Sequence, residues 1–161
     1  MPQVTITITV DYPEGGAVEV HAGSPEPPSE SGSEVSAEVL NRVRRLGGDH
    51  VEHELAYLER AAAELGARVQ PGASARVERI KIYAPPSHLR RAMLAGLNAR
   101  SGRLAFHTLS ESIADEFELV NVIYNRHRDG TRTADGVAVR LHSSEGVEVA
   151  MELTRRTLEQ T

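Results

Sequence analysis

The chain has 161 residues, 40% of them hydrophobic and 25% charged, with a formal net charge of −5 and no cysteine. These values fit an ordinary globule and exclude a disulfide scaffold, a thiolate nucleophile and a zinc–thiolate centre. The charge is unevenly spread: seven cations and one acid lie between Arg76 and Arg103, whereas the first seventy residues carry five arginines and twelve acids.

The length predicts a single α+β domain over 1–161, burying roughly 68–70% of its unfolded surface. Two Phe, four Tyr and no Trp leave the core to Val, Leu, Ile and Ala. No apolar run approaches the ~20 residues of a membrane span, so no membrane contact is expected. Met1–Val10 lacks the charged start and apolar middle of a signal peptide, and absence of cysteine fits a reducing compartment. The expected location is cytoplasmic.

Val4, Ile6, Ile8 and Val10 alternate with threonines and read as a strand, Asp11–Gly16 as a turn, and Ala17–His21 as the returning strand. Residues 22–34 are Pro, Ser, Gly and Glu apart from Ala22, which predicts a flexible loop or linker within the domain. Val35, Val39, Val43 and Leu46 follow helical spacing up to Gly47-Gly48. Asp49 can cap a second helix whose stripe is Val51, Leu55, Leu58, Ala62 and Leu65, ended by Gly66. The two form a helical hairpin. The acids Glu52, Glu54, Glu59 and Glu64 on its second helix would repel phosphates, which argues against a DNA-reading helix-turn-helix.

Arg76–Ala84 is predicted to be a strand with Ile80 and Ile82 on one face and Arg79, Lys81 and Tyr83 on the other. Pro85-Pro86 breaks it. Ser87 can cap an amphipathic helix carrying Leu89, Met93, Leu94 and Leu97 as far as Gly102. Arg103–Thr108 reads as a strand, and Thr108 with Glu111 as a capping box for a short helix holding Ile113 and Phe117. Leu119–Arg126 is ambiguous between strand and helix, with Val120, Val122 and Tyr124 favouring the strand. Val137–Leu141 and Val147–Leu153 alternate around a Ser143–Gly146 turn. The last third is therefore expected to be a three-stranded antiparallel meander, in a mostly antiparallel α+β domain with a helical hairpin and one or two further helices.

Three constellations could carry chemistry. The first is the basic band: Arg79, Lys81, Arg90, Arg91, Arg100 and Arg103, with Ser87 and His88 at the start of the expected helix, where backbone amides would favour an anion. These arginines could equally pair with Glu111, Asp115, Glu116 and Glu118, or with the acidic hairpin. The second is Asn125–Arg132, where Arg126, His127 and Arg128 form a basic loop and Asp129 could orient His127 as a base. The third is His50, His53 and Glu54 at i, i+3 and i+4, a spacing able to hold zinc or iron but lacking a further ligand segment. Ser143-Ser144 has no Gly-x-Ser-x-Gly elbow, so no nucleophile is assigned, and neither is a cofactor or metal.

The pattern points to a non-catalytic binding or assembly module whose basic face, 79–103, contacts an acidic protein surface or further copies of itself. Nucleic-acid binding through the same face is the second reading. An enzyme acting on an anionic or phosphorylated small molecule, with His88 or His127 as acid/base, is the third.

Overall fold

The computed structural model describes residues 8–11, 17–20, 34–73, 76–88 and 92–161, with side chains described from Glu34 onward. Contacts divide the chain into two units, Met1–Glu30 and Ser31–Thr161. The described residues of the first are two antiparallel strands, β1 (Ile8–Asp11) and β2 (Ala17–Val20), paired from Ile8↔Val20 to Asp11↔Ala17. The turn expected at 12–16 and the loop at 22–33 lie outside the described residues.

The second unit begins with α1 (Ala37–Leu46), where the Ser36 hydroxyl accepts from the Val39 amide. A 3-10 turn at Gly48–His50 leads into α2 (Val51–Leu65), so the expected Asp49 cap is replaced by that turn. Gly66 ends α2 in the left-handed region at φ 65°, a conformation glycine adopts without a Cβ penalty. Four strands follow: β3 (Arg68–Pro71), β4 (Arg79–Tyr83), β5 (Met93–Asn98) and β6 (Arg103–Phe106). A 3-10 turn at Glu111–Asp115, capped by Ser110 rather than Thr108, precedes β7 (Val120–Arg126), β8 (Arg132–Arg140) and α3 (Ser144–Gln160). No helix among the described residues is long and apolar enough to cross a membrane.

The six strands of this unit form one antiparallel sheet in the order β3-β4-β5-β6-β8-β7. The class is the expected α+β with a helical hairpin, but the consecutive meander is β3 to β6. Three segments differ from the sequence reading. Met93–Asn98 is a strand rather than a helix, paired with β4 on one side and β6 on the other, and the β4 pairing shifts between Ile82 and Tyr83, leaving Leu94 as an extra residue. Leu94 and Ala95 are then both buried, and two successive inward residues imitate helical spacing. Val147–Leu153 lies in α3 rather than in a hairpin strand. The Ser143 hydroxyl accepts from the Gly146 amide at 3.0 Å, and the helix buries Val147, Ala150, Met151 and Thr154 along one stripe. Strand β3 is too short to show a period and ends on a proline tolerated at a sheet edge.

Helix α2 touches both α1 and α3, and all three touch the sheet, forming one layer. Between layer and sheet, Ile80, Ile82, Leu97, Leu104, Phe106, Val137 and Val139 meet Tyr57, Leu58, Met151 and Leu153, all at most 1% exposed. Each such large side chain contributes roughly 1.5–3 kcal/mol of transfer free energy. Thr154 donates to the Ala150 carbonyl at 2.7 Å and accepts from the buried Tyr57 hydroxyl at 2.8 Å, which ties α2 to α3. In β8, Gly136 sits at φ 100° under the Phe106 carbonyl, where a Cβ would collide with that backbone.

Glu54 is fully buried, and neither carboxyl oxygen has a hydrogen-bond partner. Its carboxyl abuts Gly47, where any larger residue would strike it. Burial pushes its pKa up from 4.5 to about 8. The folded state therefore holds this proton more tightly than the unfolded chain does. The associated stability is full below about pH 4.5 and is lost as pH rises through about 8, at up to ~1.4 kcal/mol per unit. Chemical denaturation of wild type and Glu54→Gln between these limits should give curves that diverge as pH rises, the variant becoming relatively more stable. Parallel curves would contradict a buried, unpartnered acid. Gly136→Ala should cost more than about 1 kcal/mol in the same assay, because both φ and the close approach require glycine.

Candidate functional site

Register places the sequence's outward residues on one plane. Cross-strand partners share a face, so three rows run across the side of the sheet opposite the helices. One row is Arg79, Asn98, Arg103 and Arg140. The middle row is Gln70, Lys81, Gly96, Ala105, Ala138 and Asn121. The third begins Arg68, Tyr83 and Met93. Small residues at 96, 105 and 138 make the middle of the face shallow between longer neighbours. A trench of about 270 Å³ results, lined by Arg79, Lys81, Met93, Asn98, Arg103 and His107. A second depression lies between Arg103 and Arg140.

The electrostatics of this face differ from those of the helical layer. Among the described residues, each arginine paired with an acid belongs to a helix: Arg42 with Glu38, Arg60 with Glu64 and Glu148, Arg155 with Glu152, and Arg156 with Glu116 and Glu152. No described carboxylate lies within 4.0 Å of Arg79, Lys81, Arg103 or Arg140. Arg103 and Arg140 stand directly opposite each other in register, a like-charge pair that costs stability in an isolated sheet. The pairing with Glu111, Asp115, Glu116 and Glu118 expected as one option does not form for these cations; Glu116 is taken by Arg156 at 2.7 Å.

The other expected site residues disperse. Arg100 is exposed in the β5–β6 turn, which the Asn98 side chain holds by accepting from the amides of Arg100 and Ser101. Ser87 is exposed in a turn. His88 is half-buried and meets the Thr161 hydroxyl at 3.3 Å, away from the trench. Arg90 and Arg91 lie outside the described residues. The helix mouth proposed to hold a phosphate loses its basis, since Met93–Asn98 is a strand. Arg126, His127 and Arg128 are exposed at the end of the β7–β8 hairpin. There His127 Nε2 meets Thr133 Oγ1 at 2.8 Å, while Asp129 accepts from the Thr131 amide and hydroxyl. The His127–Asp129 arrangement expected for a base is therefore absent among these contacts.

The three metal candidates also separate. His50 stacks on His142 with ring centroids 3.5 Å apart, and Glu54 turns into the core. Among the described residues no group of three His, Asp or Glu converges to hold an ion.

Sequence reasoning missed Arg140 and His107. Arg140 was legible as the outward residue between Val139 and Leu141. His107 depends on tertiary structure: its Nδ1 donates to the Asp135 carbonyl at 2.9 Å and lies 3.2 Å from the Asp135 carboxylate, fixing the ring at the trench edge. No protein-family model, curated protein or solved structure matches this chain.

Proposed function

We propose that the chain is a binding module that presents the helix-free, cationic face of its six-stranded sheet to an acidic protein surface. The observation that supports this reading is the set Arg79, Lys81, Arg103 and Arg140, gathered on one face without a described acid within reach, while Arg42, Arg60, Arg155 and Arg156 on the helices are paired. A carboxylate-rich partner would relieve the Arg103–Arg140 opposition and accept forked hydrogen bonds from the guanidinium groups. The shallow middle row would admit an extended segment between the longer side chains.

Self-association is the assembly form of the same proposal. The helical layer carries exposed Glu52, Glu59, Glu145 and Glu159, so the face of one copy has a complement on another. Such a contact is head-to-tail and would build rings or open chains rather than a two-fold dimer. The nucleic-acid alternative through this face has weaker support: among the described residues of the rows named above, Tyr83 is the one Phe, Tyr or Trp, and the Arg68 guanidinium lies 5.8 Å from its ring centre. The enzyme alternative has no support from His88 or His127, since neither lines the trench.

The test is titration with a fluorescent glutamate-rich peptide at two salt concentrations. Binding should weaken as salt rises. Arg79→Glu with Arg103→Glu should reduce affinity by at least about tenfold, as expected when two charge-assisted contacts become repulsive. Equal affinity for wild type and the double variant would refute the proposal. Light-scattering mass at low and high salt separates the forms: a mass that falls with salt signals assembly, and a constant monomer mass assigns the face to a different protein.

A further inference from the structure

The β7–β8 hairpin carries a second cationic surface that the open face does not include. The last pair between β6 and β8 is Phe106↔Val137. Beyond it β8 pairs with β7 alone, through Tyr124↔Ala134, Asn125↔Thr133 and Arg126↔Arg132. At about 3.4 Å per residue, this two-stranded ribbon runs on for roughly 15 Å past the shared sheet. Every residue from Tyr124 to Ala134 is exposed.

Within those residues stand Arg126, Arg128 and Arg132 against one acid, Asp129. That acid is engaged by its own turn. The Thr131 hydroxyl and amide donate to Asp129 Oδ1 at 2.6 and 2.9 Å, which holds the carboxyl below its usual range and closes the turn. Its carboxylate is thus committed to the loop, and no described carboxylate lies within 4.0 Å of the three arginines. Arg126 and Arg132 are direct cross-strand partners. A like-charge pair opposed in register destabilises a ribbon that has no hydrophobic layer to compensate it. Closely spaced anions would turn that repulsion into attraction.

We infer that this ribbon is a nucleic-acid contact, with Arg126, Arg128 and Arg132 bound to backbone phosphates of a duplex. A two-stranded ribbon matches the width of the major groove, and guanidinium groups suit phosphate oxygens. Phosphates recur along the duplex at short, regular intervals, so neighbouring cations on a narrow ribbon can each find one. Contacts of this kind position the protein and carry no base specificity. The inference is independent of the reading of the open face.

The probe is a fluorescein-labelled DNA duplex of about 20 base pairs, followed by anisotropy from low to moderate salt. With three phosphates neutralised, the slope of log K against log salt should be about −2.7. Arg126→Ala with Arg132→Ala should lower affinity at least about tenfold and flatten the slope. Arg126→Lys with Arg132→Lys should retain most of the binding. Arg44→Ala with Arg45→Ala, which removes the same charge from exposed positions on α1, should leave it within about twofold. The melting temperature of the alanine variant should be unchanged or higher, which separates loss of contact from loss of fold. The inference is overturned by no binding of wild type at low salt, or by binding that survives the alanine variant.

Discussion

Everything in the second unit depends on how strand alternation is sorted by register. Pairings such as Ile80↔Leu97 and Leu104↔Val139 put large apolar side chains on the helical side of the sheet. The same pairings put Arg79, Lys81, Gly96, Arg103, Ala105 and Arg140 on the other. A one-residue slip of any strand would exchange the two sets, burying guanidinium groups against Phe106 and Tyr57. The core therefore fixes the charged face: burial on one side dictates which residues stand together on the other.

That face is costly to the isolated protein in a specific way. Arg103 opposes Arg140, and on the hairpin Arg126 opposes Arg132; each such pair costs roughly 0.2–1 kcal/mol. Four helical arginines, Arg42, Arg60, Arg155 and Arg156, show the contrary habit. Arg60 and Arg156 each sit between two glutamates, one on their own helix and one elsewhere. Acids are thus available in this chain and stand beside four helical cations, while no described acid lies within 4.0 Å of the cations on either strand surface. Glu54 is another polar group left without a partner, but it lies inside the α1–α2 junction, where its consequence is for stability across pH rather than for contact.

Much of the architecture was legible in the sequence. Alternation in Arg79–Tyr83 identified both the strand and its two faces, and apolar spacing punctuated by Gly47-Gly48 and Gly66 located the helical hairpin. The face itself was half legible: Arg79, Lys81 and Arg103 were named, but joining them to Arg140 requires knowing that β6 pairs with β8. Local pattern failed where two periods coexist. In Val147–Leu153 alternate residues are apolar, yet Ala150 and Thr154 complete a helical stripe with Val147 and Met151, and small or polar residues hide such a stripe. In Met93–Asn98 the extra Leu94 broke the strand period. His107 was invisible as a site residue because its partner, Asp135, is brought to it by the β6–β8 pairing rather than by sequence proximity.

The most direct test of this account is residue-level mapping of the full chain by amide chemical shifts as a glutamate-rich peptide is added. The account expects changes concentrated in β4 around Arg79 and Lys81, in β5 and β6 from Gly96 to Ala105, and in β8 around Ala138–Arg140, with α2 and α3 largely unmoved. Changes centred on the helical layer, or none at saturating peptide and low salt, would contradict the claim that the face of the sheet opposite the helices is the binding surface.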